Sequence, residues 1–311
     1  MPGSDPPTSV APRRAQRTTS AAPGQTQPPR PRTLVLEATE WRARRATHEA
    51  RVDAWLAPHL ARRQAGEKHP VEDFLFTYYS FRPAQLRRWH PGAGVTLEDG
   101  LPDKEYIQTG QGVMLDPTVA ARKSTEWIGT LLRRTAGRPA HFGCFGMHEW
   151  AMVYRAEGVR HEQVPLRLSP AETDRVVDDN RVRCSHFDAF RFFTPAARPL
   201  NLLQPTRETQ HDNEQPGCLH ANMDLYKWAY KLSPLVASEL VADAFALARD
   251  IRALDMRASP YDLADLGYEP VRVETPEGRA EYAAAQRAFA GRAAALRARL
   301  IAALDRLDGS S

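Results

Sequence analysis

A chain of 311 residues, 42% of them hydrophobic, is long enough for one large domain or two small ones and can bury a substantial core. Its charge of +4 comes from 42 Lys and Arg against 38 Asp and Glu. Five of those cations (Arg13, Arg14, Arg17, Arg30, Arg32) and a single acid (Asp5) lie in the first 32 residues, so the remainder balances and any nucleic-acid contact there needs a local patch. Three cysteines without a Cys-x-x-Cys spacing exclude a disulfide framework, and no apolar run reaches spanning length, which predicts a cytoplasmic protein with no place in a membrane.

Residues 1–36 are rich in Pro, Ser and Ala, the composition of a disordered basic leader, and 37–311 are expected to form one globular domain. From Thr39 as N-cap, Trp41, His48 and Trp55 recur every seven residues beside Val52 and Leu56, predicting a helix to Ala57 that Pro58 ends or kinks. Pro70-Val-Glu-Asp places proline and two acids in a first turn, predicting a helix through Ser80, and a shorter helix follows Pro83. Arg82, Arg87 and Arg88 beside Trp89 have the composition of phosphate contacts next to a stacking ring; a packed helix with outward arginines explains the same letters.

His90-Pro-Gly-Ala-Gly-Val95 is similar to the glycine hairpin of helix-hairpin-helix DNA glycosylases, with Asp116 roughly where that family keeps its catalytic aspartate. The following stretch reads as a polar loop instead of the family's apolar helix, and no role is assigned to Asp116. Thr125 to Arg134 reads as a helix with Trp127, Leu131 and Leu132 inward. Met147 to Arg155 fits a buried helix or a strand, and Gly143 and Gly146 let the backbone before it approach a neighbour closely. Ser169-Pro-Ala-Glu172 is a capping box that predicts a helix over 170–179. The run 182–190 alternates; as a strand it would put Val182, Cys184, His186, Asp188 and Phe190 on one face. The stretch from His220 to Leu232 predicts a helix capped by Asn222, Ser233-Pro234 opens another to about Arg257, and Thr275-Pro276 opens a long terminal helix with Tyr282, Phe289 and Leu296 in register. The fold class expected is mainly α (α+β), with a few short strands.

Chemistry concentrates between Arg138 and Trp228, which hold all three cysteines and most of the histidines. Cys144, Cys184, Cys218, His141 and His220 are soft and borderline ligand types for zinc or iron, but their wide spacing demands tertiary convergence. Cys184 beside His186 would be the nucleophile of a thiol enzyme, without an identifiable oxyanion hole. A base-excision site would use Asp188 as its carboxylate next to His186, with Asp224 and Glu149 behind, and Trp150, Phe187, Tyr226 and Trp228 as an aromatic box around an extruded base. An ordinary ion pair of Asp188 with Arg191 or Arg198 accounts for the same residues.

The strings HPVEDFLFTYYSFRPAQLRRWHPG, SHFDAFRFFTP, QPGCLHANMDLYKW and YEPVRVETPEGRAEY resemble bacterial, actinobacterial-type proteins catalogued as 3-methyladenine DNA glycosylase, a likeness running from about Glu40 to Leu300. The resemblance implies a hydrolase of base-excision repair that binds double-stranded DNA containing damaged bases and cleaves the N-glycosidic bond of alkylated purines without a cofactor. Two other expectations stand beside it: a metal-dependent enzyme acting on a small molecule, and a non-catalytic module binding nucleic acid or a protein partner.

Overall fold

The computed structural model describes residues 34–122, 124–158 and 163–308. Most of the expected leader lies outside these residues. Its last three, Leu34–Leu36, form strand β1, which corrects the leader's boundary. The class is mainly α, with 55% helix and 6% strand. Among the described residues no helix is long and apolar enough to cross a membrane.

Helix α1 (Ala38–Ala65) buries Trp41, His48, Val52, Leu56 and His59 along one stripe and ends where Gly66 turns left-handed at φ 74°. It differs from expectation at both ends. The Glu98 carboxylate, not Thr39, accepts the Ala38 N–H at 3.1 Å. The helix also runs through Pro58, whose exposed position leaves the carbonyl four residues back to water and costs no packing. Helix α2 (Phe74–Tyr78) starts later than expected because the His69 ring nitrogen accepts the Val71 and Glu72 N–H groups and holds 70–73 as a turn. Helix α3 (Pro83–Arg87) follows as expected.

The glycine-containing stretch after His90 leads into strand β2 (Val95–Leu97), not a helix, which removes the hairpin likeness. With β3 (Tyr106–Thr109) and β4 (Gly112–Leu115) it completes a four-stranded sheet in the order β1-β2-β4-β3. The pair β1-β2 is parallel, crossed over by α1–α3, and the other pairs are antiparallel. The segment expected to be a polar loop therefore contributes residues to all three of these strands, with turns and loop between them. Gly112 is required there: a Cβ would lie 2.1 Å from the Leu97 carbonyl oxygen. Leu36, Trp41, Trp89, Leu97 and Val113 form a small apolar layer between sheet and α1.

The remaining helices are α4 (Thr125–Ala136), α5 (Met147–Ala151), α6 (Pro170–Asp178), α7 (Phe187–Phe190), α8 (Gln210–Asn213), α9 (Leu219–Met223), α10 (Leu225–Leu232), α11 (Ser238–Arg257) and α12 (Pro276–Asp308). Helix α4 turns Ile128, Leu131 and Leu132 inward but leaves Trp127 partly exposed, ring to ring with Trp228 at 5.3 Å. The capping box of α6 forms as read. Asn222 is no cap: it lies inside α9, where its amide donates to Pro216 O and its oxygen accepts from Arg297. Helix α11 begins four residues beyond Pro234 and forms the centre of the core, with Val241, Ala244, Phe245, Ala248 and Ile251 buried against α1, α9, α10 and α12.

Residues 182–186 belong to no strand, and 187–190 are α7, so the shared strand face does not exist. The stretch still buries alternate residues, Val182 and Cys184 inward and Arg181 and Arg183 outward. Its bonding is supplied by a side chain: the Asn201 amide accepts from Cys184 N at 2.7 Å and donates to Cys184 O at 2.9 Å, taking the place of a neighbouring strand.

Candidate functional site

Two buried polar networks meet in the region that the sequence singled out. The first is gathered from three helices. His148 and Glu149 stand on α5, whose entry is set by two consecutive left-handed residues, Phe145 at φ 44° and Gly146 at φ 70°. A phenylalanine in that region is strained and persists because the surroundings fix it. His220 stands on α9, and Arg252 and Asp255 lie near the end of α11. Asp255 Oδ1 is 2.9 Å from His148 Nε2, and Asp255 Oδ2 is 3.9 Å from His220 Nε2 and 3.4 Å from Arg252, which also reaches Glu149 at 3.2 Å.

His148 Nε2 and Asp255 Oδ1 are at ion-pair distance, but neither meets hydrogen-bond geometry with any described residue. Ligand atoms of His148, His220 and Asp255 all lie within 4.8 Å of one another.

Burial alone would raise the Asp255 carboxyl, but His148, His220 and Arg252 outweigh it and hold it well below the usual carboxylate range. Burial, reinforced by Asp255, raises Glu149. His148 is raised, since Asp255 overcomes its desolvation. His220 is pushed down to about 3 by burial and by His148, which favours the neutral imidazole.

The second network is a chain. Lys227 Nζ donates to Asp188 at 2.5 Å and to Asp224 at 3.1 Å; Tyr79 donates to Asp224 at 2.7 Å; His186 Nε2 lies 3.4 Å from Asp224 and 3.5 Å from Glu214. Desolvation would raise Asp224 and lower Lys227, yet their mutual attraction shifts both the other way and keeps the pair ionised. The networks join where the His186 ring stacks on His220, centroids 5.4 Å apart.

Beside His148 and His220 is an inner cavity of about 20 Å³, room for one water or ion, lined also by Cys144, Cys184, Cys218 and Tyr282. Cys144, Arg183, Ser185 and Gln215 form a wall shared with an outer cleft of about 540 Å³. The structure thus brings the three cysteines and His220 to one cavity, while His141 lines only the outer cleft. Burial pushes the Cys184 thiol up to about 12 and raises Cys144 and Cys218 as well, which leaves no thiolate nucleophile beside His186.

The expected base-excision constellation is only partly assembled. Asp188, His186 and Asp224 do share one network, but Asp188 is held by Lys227 and by Arg191 at 3.1 Å, and Glu149 belongs to the other network. The aromatic box does not form. Trp150 is fully buried with its N–H on Ala258 O, Tyr226 is enclosed by Tyr79, Tyr230 and Phe245, Trp228 is covered by Trp127, and Phe187 alone is half-buried. Rings packed on both faces offer no surface to a base. Of the phosphate candidates, Arg87 pairs with Asp53 and Arg88 with Asp103, while Arg82 is exposed.

Sequence reading missed His148, Asp255, Glu214 and the pair Arg181 and Arg183. Asp255 carried a usable signal, a carboxylate four residues after Ile251 on the apolar stripe of a helix. Comparisons with protein-family models, with curated proteins and with solved structures found no match.

Proposed function

We propose that the chain is a metal-dependent enzyme acting on a small molecule, with His148, His220 and Asp255 as the three protein ligands of a divalent transition metal such as zinc or iron. The observation that carries this reading is that ligand atoms of His148, His220 and Asp255 lie within 4.8 Å of one another, the 2.9 Å approach of His148 Nε2 to Asp255 Oδ1 being off hydrogen-bond geometry and both histidines lining a cavity. Two imidazoles and one carboxylate are a donor set that suits zinc and non-haem iron. A bound metal would supply Lewis-acid or oxygen chemistry at the positions left open by three ligands. Arg252, itself paired with Glu149, pairs with Asp255, and burial of His148 and Asp255 keeps bulk water from them.

Metal analysis after zinc or iron(II) loading and desalting tests the reading. Wild type is expected to retain about one ion per chain, and His148→Ala, His220→Ala and Asp255→Asn variants that keep native circular dichroism are expected to retain far less. Absence of stoichiometric metal in wild type, or equal retention by the variants, overturns it. Release of free base from methylated duplex DNA by wild type, lost in Asp188→Asn, would instead restore the base-excision reading.

A further inference from the structure

The outer cleft has a polar lining of one sign once its internal bonds are accounted for. Arg138 is engaged by the carbonyl oxygens of Glu214 and His211, and Asp212 by Arg134 at 2.6 Å. The Asn213 amide donates to Thr209, and Gln215 ties down the backbone of His141 and Gly217. What remains is Arg181, Arg183, the His141 imidazole and the Ser185 hydroxyl, with no hydrogen bond or ion pair among the described residues. Every unpaired charge in the cleft is therefore positive.

The two guanidiniums share a side for a structural reason. The inward pull on Val182 and Cys184, fixed by the Asn201 amide, turns Arg181 and Arg183 outward together. Arg183 and Ser185 also line the inner cavity, so a molecule anchored on the arginines extends toward His148 and His220.

We propose that this cleft is the substrate's anion subsite, in which Arg181 and Arg183 capture a phosphate or carboxylate group of a small molecule. Guanidinium forks match either oxyanion through paired N–H donors. A volume of about 540 Å³ suits a metabolite-sized ligand. A nucleic acid is disfavoured, since the chain beyond its first 32 residues carries no net charge to attract a polyanion. The inference deepens the metal-enzyme reading and rests on it only for what happens at the inner end.

Calorimetric titration of the full chain with orthophosphate, succinate and a duplex DNA oligonucleotide, before and after zinc loading, tests it against the Arg181→Gln/Arg183→Gln double variant. Both positions are exposed, and circular dichroism confirms the variant's fold. At least one small anion is expected to bind wild type and to weaken by about tenfold or more in the variant; orthophosphate alone assigns a phosphate group, succinate alone a carboxylate. No binding of either anion, unchanged binding in the variant, or duplex binding that the arginines support and neither anion displaces overturns the proposal. Zinc retention separates the two readings. Anion capture by zinc-free protein survives failure of the metal centre, and zinc retained without anion capture leaves the metal centre standing.

Discussion

Asp73 illustrates how this chain keeps a buried carboxylate charged. Burial would raise it, but Arg62, His59 at 2.9 Å and the His69 N–H at 2.9 Å together lower it to about 2. A folded-state value below the unfolded one adds stability that is fully present above the unfolded value and is lost as pH falls through the folded one. Asp73→Asn is therefore expected to lower stability at neutral pH by about 2–3 kcal/mol and to flatten the acid limb between about pH 5 and pH 2, read by urea unfolding across that range. A variant with wild-type acid sensitivity would refute the assignment. The same logic separates the two aspartates of the candidate site. Asp188 drew notice in the sequence because His186 stands two residues away, yet Lys227 and Arg191 account for it. Asp255 stands in an ordinary helical run, and only its distant partners give it meaning.

A helix end whose bonds close within one turn is written directly in the chain, whereas one capped from a distance, as Glu98 caps α1, is not. The α6 cap follows from four consecutive letters because its bonds close within one turn: Ser169 Oγ accepts from Glu172 N, and Glu172 returns a carboxylate to Ser169 N. Ser169→Ala should cost about 1 kcal/mol in chemical denaturation. Pro58 shows the opposite case, where local preference yields to packing on both sides of it; Trp41, His48, Val52 and Leu56 before it and His59 after it are all buried on one stripe. Replacing the exposed proline with alanine restores a helical hydrogen bond and should raise stability by about 1–2 kcal/mol, less than the full helix-interior penalty because the unfolded chain also gains freedom. A lower melting temperature in Pro58→Ala would contradict that account.

At the scale of the molecule, α5, α9 and α11 carry His148, His220 and Asp255 from places far apart in the chain to within 4.8 Å of one another. An ion held there cross-links three helices and binds only the folded state. Zinc at about a hundred times its dissociation constant should stabilise the protein by about 3 kcal/mol, seen as a rise in melting temperature that EDTA reverses and Asp255→Asn abolishes. An unchanged melting temperature would argue against a shared ion. Central placement of α11 makes this geometry sensitive to the core, because its buried face is continuous with the residues that hold Asp255.

Whatever depends on neighbours within a turn or two was legible from the chain alone: the mainly helical class, the α6 cap, the helix after Thr125, the long terminal helix, and the concentration of cysteine and histidine between Arg138 and Trp228. Those features arise from periodicity and capping, which are local. Folding alone decided which polar side chains meet and which rings stay open, because these depend on contacts between distant residues. Only packing could bury Trp150 and Tyr226, seat Asn201 where a strand would be, and turn Asp255 toward two histidines.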